Sequence, residues 1–367
     1  MTMNTVPAKT PKEALMIPPY LVFYLIHSMQ VGVGVLGFTR YIAGIAGFRA
    51  WIAVLLTGIL FHIIIWIMYK ILNGTDKDLV SVHKSAFGKW IGGFLTFVFI
   101  IYITFLAMTV LRTYIEVVQI WFFPELPTWA ISLSIILIAY YAITSGFRVV
   151  AGICFLGVII PMFLYFSALA PLEFATYWNL MPLFDTSINV QIEATMAMTL
   201  SFLGPELLLI YYPFIQEPKK SQKFAHFGII FTTFIYLTVT IVTFVFYSEK
   251  QLATTIWPTL IAWKLLELPF IERFEYLGIA TWMFVVMPNI TLGLWGASRA
   301  LKRQINISHR KSILIISVIA LLITISFTTR AQIDALNTYV SYTGTYIVYL
   351  YLPFLLLILM IRRKLRR

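Results

Sequence analysis

Apolar runs long enough to cross a bilayer recur along this chain at roughly 17 to 46, 50 to 69, 90 to 121, 128 to 145 and 148 to 170; after a polar break they resume at 191 to 215, 226 to 247, 275 to 298, 312 to 328 and 338 to 361. Crossing the hydrocarbon core takes about 20 apolar residues as helix, so the pattern predicts an all-α polytopic membrane protein of ten transmembrane helices. Two of these spans are interrupted. GVGVLG at 32 to 37 places Gly32, Gly34 and Gly37 where an ordinary span carries Leu or Val, and SFLGPE at 201 to 206 places Gly204 and Pro205 in mid-segment. Pro205 has no N–H to give and a fixed φ, both suited to the first turn of a new half-helix. Each interrupted span is the first of five, and five is odd. The second set therefore enters from the opposite face, and the expected architecture is a 5+5 repeat inverted about an axis in the membrane plane. No residue-level repeat links the halves, so the repeat is read from hydropathy and from the two breaks. The expected division is a tail at 1–16, a first five-helix repeat at 17–170, an outer connection at 171–190, a second repeat at 191–361 and a basic tail at 362–367.

Composition narrows this further. Hydrophobic residues make up 60% of the 367 and charged ones 11%, which excludes a soluble globular domain. The net charge of +12 does not point to nucleic acid, because the basic residues are scattered over short breaks between apolar runs. With the N-terminus inside, 20 of the 27 Lys and Arg fall in inner segments and seven at outer ends, which predicts that both termini are cytoplasmic. The N-terminal stretch lacks a short apolar core with a small-residue cleavage site, so it reads as a retained tail. Cys154 lies within an apolar run and reads as a small buried residue.

Enzyme constellations do not emerge. The four aspartates, Asp76, Asp78, Asp185 and Asp334, fall in loops, and His27, His62, His83, His226 and His309 lack metal-ligand spacing, so neither metal nor cofactor is expected. His27 and His62 lie within spans, where a hydrogen bond inside the bundle is the ordinary account. Glu206 differs. It alone among the glutamates lies near a span's centre, in the first turn of a half-helix whose dipole favours a carboxylate. Two roles stay open: capping that half-helix, or holding a substrate ammonium, a cation or a transferable proton. Around the first break, N–H groups from Val35 to Phe38 suit a carboxylate, while carbonyls ending the preceding half-helices suit an ammonium, and together these describe an amino acid. Tyr102 and Leu106 lie one turn apart on span three, and Asn289 beside Pro288 offers an amide on span eight. Arg112 and Glu116 read as an i, i+4 ion pair, the tyrosines 339, 342, 346 and 349 as a packing stripe, and 248–273 as a short surface helix carrying Trp257, Leu260, Ile261 and Leu265.

The string SFLGPELLLIYYPF followed by EPKKSQK, the IWPT of the outer loop, IERFE at 271 to 275 and the glycine-rich first break resemble the spore germination permeases. These are the B subunits of GerA-type nutrient germinant receptors, in the amino acid, polyamine and organocation (APC) transporter superfamily. The resemblance implies a LeuT/APC-like ten-helix inverted repeat with helices 1 and 6 broken, in the inner membrane of the endospore. It also implies an A subunit and a lipoprotein C subunit as partners, and a small nutrient, often an amino acid, as the ligand that starts germination. By that resemblance the pocket is lined by Gly32, Val33, Gly34, Val35, Leu36, Tyr102, Leu106, Ser201, Phe202, Leu203, Gly204, Asn289 and Gly293, with Glu206 beside it. Span five lacks the lysine that many sodium-independent members of the superfamily place opposite the site. A secondary amino acid permease is the alternative function.

Overall fold

A computed structural model describes residues 13–73, 78–266, 269 and 272–365. Asp76, most of the N-terminal tail, Ile271 of IERFE and the last two arginines lie outside the described residues. The chain forms helices α1 Leu21–Gln30, α2 Phe38–Ala46, α3 Trp51–Leu72, α4 Leu79–Trp121, α5 Thr128–Thr144, α6 Phe147–Ile159, α7 Met162–Ser167 and α8 Ile188–Met198. The second half holds α9 Leu208–Tyr211, α10 Gln222–Phe246, α11 Glu249–Thr254, α12 Pro258–Trp263, α13 Phe274–Ile305, α14 His309–Ser326, α15 Arg330–Tyr346 and α16 Leu352–Leu365. Among the described residues, seven helical stretches are long and apolar enough to cross a membrane, and an eighth is the bent pair Ile188–Phe202 and Pro205–Phe214. Two expected spans differ from unbroken helices of spanning length. The first is divided into α1 and α2, with α2 running through the turn Gly47–Ala50 into α3, and the fourth, α5, has 17 residues.

Both breaks have local causes. After α1 the chain passes through a 3-10 turn at Val33–Leu36 before α2 begins. Gly37 is required there, since a Cβ would lie 2.9 Å from the Ile256 carbonyl oxygen and 3.1 Å from the Trp257 ring. At the second break Gly204 has φ +116°, a left-handed conformation that side chains disfavour, and Pro205 starts the next turn. The two halves of that element meet at 51°.

The core is built by α4 and α13 packed on one another, with α1 wedged among α6, α10 and α13, and α3 against α8 and α10. Ion pairs mark its two ends. At one, Arg303 meets Asp78 at 2.9 Å, and at the other Arg330 meets Glu116 at 2.7 Å. Residue Ile17, just before α1, exchanges backbone hydrogen bonds with the strand-like segment after α9: its N–H donates to the Phe214 carbonyl at 2.8 Å, and its carbonyl accepts from Gln216 at 2.9 Å.

Candidate functional site

A helix interrupted inside a membrane leaves carbonyls and N–H groups without partners, and hydrocarbon supplies none. Here side chains from other helices supply them. The Asn289 amide on α13 donates to the Ser28 carbonyl at 2.8 Å and to the Val31 carbonyl at 3.2 Å, both at the end of α1. Tyr236 on α10 donates to the Gln30 carbonyl at 2.8 Å. The Gln30 amide crosses to the other break and donates to the Phe202 carbonyl at 3.0 Å, tying the two interruptions together. Thr259, on α12, donates to the Val35 carbonyl at 3.2 Å.

Between the breaks lies a cavity of about 600 Å³. Its base carries Gln30, Gly32, Val33, Gly34, Ser201, Leu203 and Asn289, and its middle Leu106, Thr109 and Thr113 of α4. Its mouth carries Tyr41, Glu193, Arg330 and Asp334. Gly34 is the exposed residue of the stretch 31–39, and its exposure is to this space: a Cβ there would meet nothing closer than the Ser201 hydroxyl at 3.8 Å. No charged side chain stands at the base. What faces it is polar and neutral. The side-chain amide oxygen of Gln30 and the hydroxyls of Thr109 and Thr113 are buried without a protein partner. Such groups are satisfied by a ligand or water that brings matching donors and acceptors.

Of the residues picked from sequence, Gly32, Val33, Gly34, Leu106, Ser201, Leu203 and Asn289 line the cavity. Val35 and Leu36 are buried beside it, and the Val35 and Gly37 N–H groups donate within the 3-10 turn to Gly32 and Gly34. Phe202 packs at a tilt behind the break against the rings of Phe61 and Tyr236. Gly293 meets α4 instead, where a Cβ would lie 2.8 Å from that of Ala107. Glu206 is buried and turned away from the cavity: one carboxylate oxygen accepts from the Tyr102 hydroxyl at 2.5 Å and the other from the Gly204 N–H at 2.8 Å. Tyr102 is likewise set behind the lining.

Other expectations change in the same way. Arg112 does not pair with Glu116; it donates to the Phe327 and Thr328 carbonyls, and Glu116 is taken by Arg330. His27 bridges Thr232 and Tyr165, as a bundle histidine does, and His62 meets His226 at 2.8 Å. Among the described residues of 248–273, Trp257 lines the cavity and Leu260 is buried, so α12 packs beside the cavity instead of lying free on the surface. Sequence reasoning passed over Gln30, Tyr236, Thr109, Thr113 and the polar face Asn337, Thr338, Ser341 and Thr345 of α15. The threonines carried a signal, because continuing the Tyr102–Leu106 stripe at helical period reaches 109 and 113.

Comparison with known proteins adds the following. A family model described as spore germination protein matches residues 16–333. Spore germination protein GerQB of Bacillus cereus is 42% identical over 351 residues, covering 96% of this chain and 98% of that protein. Spore germination protein A2 of Bacillus subtilis (strain 168) is 23% identical over 338 residues, covering 90% and 92%. Among solved structures, a Na+-coupled sialic acid symporter in a substrate-bound outward-open state superposes with a TM-score of 0.70 at 11% identity, over 90% of this chain and 77% of that one. A manganese transporter of Eremococcus coleocola does so at 0.56 and 11%, over 92% and 78%. At these identities the likeness is one of fold.

Proposed function

Since the chain belongs to the spore germination protein family, we propose that it is the membrane subunit of a spore nutrient germinant receptor, binding a small germinant in the cavity between the two broken helices and so triggering germination. The family and its fold neighbours are germination and transport proteins, not enzymes. The ligand is an amino acid. Its ammonium meets the acceptors at the base, the side-chain amide oxygens of Gln30 and Asn289, and its carboxylate meets the hydroxyls and the glycine-flanked backbone of Gly32 to Gly34. Leu106 and Leu203 contact its side chain. Glu206 and Tyr102 hold the second break in shape behind the site. The observation that carries this reading is the 600 Å³ cavity with unpartnered neutral polar groups where the two breaks face each other.

The same reading includes ten spans in a 5+5 inverted repeat, with α1–α2 and α8–α9 as the broken members. Which helices touch supports the repeat: α1 on α10 corresponds to α8 on α3, and α5 on α13 to α14 on α4, under exchange of the halves. The protein sits in the inner membrane of the endospore with both termini cytoplasmic, beside an A subunit and a lipoprotein C subunit. The Arg330 end of the cavity then faces outward.

Gly34→Leu tests this. The added side chain has room to fold into and fills the cavity, so spores carrying it should hold normal amounts of the protein yet fail to respond to amino acid germinants. Normal abundance with normal dose-response would remove the break from the site. A second reading, an amino acid permease, is favoured by the superposition on a symporter. Concentrative uptake of labelled amino acids by vesicles containing this chain alone would select it over the receptor.

A further inference from the structure

At the inner end of the cavity three backbone carbonyls from two helices converge on one point. Ser28 and Val31 contribute from the C-terminal end of α1, and Val285 from α13, one turn before Asn289. The point is occupied by the Asn289 side-chain nitrogen, at 2.8, 3.2 and 3.0 Å. Its orientation is fixed by chemistry, since three oxygens can be met by an NH₂ group and not by an amide oxygen. Two hydrogens serve three acceptors, so one is shared. Asn289 is buried, and the Asn289 oxygen is thereby left on the Gly32 side, 3.1 Å from where a Cβ of that glycine would be.

A cage of inward-pointing backbone carbonyls between two helices is the arrangement that takes up a small monovalent cation, because the oxygens replace its hydration shell. We propose that Asn289 is a built-in substitute for such a cation: its amide holds the end of α1 against α13 permanently, so that this chain keeps its site assembled without binding sodium. A cation would make that junction conditional on its concentration. A neutral amide removes the condition. Asn289 is thus a positioning residue whose nitrogen belongs to the protein and whose oxygen belongs to the cavity, and this assignment stands whether or not the cavity takes an amino acid.

The inference predicts a gain of function. In Asn289→Asp the donor is replaced by a carboxylate, and the cage becomes three carbonyls plus an anionic oxygen, a cation site in full. Asn289→Ala removes the side-chain donor from all three carbonyls and leaves Val285 only its helical bond. The experiment measures the thermal midpoint of the full chain, purified in detergent, in sodium, lithium, potassium or choline chloride at one ionic strength, without added ligand. The native chain should unfold at the same temperature in all four. Asn289→Asp should unfold lower in choline and recover by about 2 °C or more in sodium or lithium, and Asn289→Ala should show a smaller shift of the same sign. A native chain that sodium stabilises over choline overturns the proposal, as do folded variants that no cation stabilises beyond the native response. Should neither variant yield folded protein, the native comparison decides it alone: a flat midpoint sustains the proposal and a sodium-dependent one removes it.

Discussion

Glu206 and Gln30 show how differently two polar residues in apolar surroundings reveal themselves. Glu206 stands out in the string because a carboxylate at a span's centre has few reasons to be there. Its two oxygens turn out to be met by Tyr102 and Gly204 and faced away from the cavity. Glu206→Gln keeps an oxygen for the Gly204 N–H and an NH₂ that can donate to the tyrosine oxygen. We expect normal abundance and a germinant response within about threefold of native, a change worth less than 1 kcal/mol; lost response at normal abundance would assign Glu206 a charge or proton role instead. Tyr102→Phe, by contrast, strips the hydrogen bond from a buried carboxylate and should lower the thermal midpoint, the cost being about 1–3 kcal/mol. Gln30 is inconspicuous in the string because a glutamine near a helix end has many ordinary explanations. Its role rests on a carbonyl 172 positions away, which no local pattern discloses. Leu106 was legible by spacing and lines the cavity. Leu106→Phe should shift the preferred ligand toward smaller molecules across a germinant panel, since a filled site tolerates added volume poorly.

At the scale of elements, the breaks were readable because Gly and Pro act on the backbone directly, whatever surrounds them. Which glycine faces the cavity and which faces a helix was not readable, since that is set by packing. Gly34 and Gly293 look alike in sequence, yet one opens on the cavity and the other lets α13 approach α4 at Ala107. Gly293→Leu should therefore act on folding. Overpacking of this kind costs about 1–3 kcal/mol or more, and the variant should be depleted from membranes by immunoblot, whereas Gly34→Leu is not. The tyrosine stripe divides similarly: Tyr342 and Tyr346 of α15 line the cavity, while Tyr349, in the turn Ile347–Tyr351 that follows, hydrogen-bonds Thr199. A stripe at helical spacing tells that a face is shared without telling what shares it.

For the whole molecule, hydropathy carried the all-helical membrane class, because burial in lipid constrains every residue of a span at once. It did not place α2, α4, α15 and the loop after α11 around one cation. Arg330 donates to Glu116, Asp334 and Tyr41 and lies 5.3 Å from the Trp257 ring, gathering four elements beside the cavity. Arg330→Ala leaves Glu116, 7% exposed, without its partner, so we expect a lower thermal midpoint together with faster ligand dissociation; an unchanged dissociation rate would limit the cluster to a structural role. At the opposite end, the bridge between Ile17 and the segment after α9 has a mechanical meaning. Two backbone hydrogen bonds make the foot of α1 and the foot of α9 a single lever, so neither broken helix can swing without carrying the other. The segment it would drag along continues directly into the basic turn Pro218–Ser221. A tilt set off at the breaks would thus be delivered at this turn as one concerted stroke, and Ile17→Pro, which deletes the N–H, should uncouple the stroke: ligand still binds, and the signal arrives late or not at all.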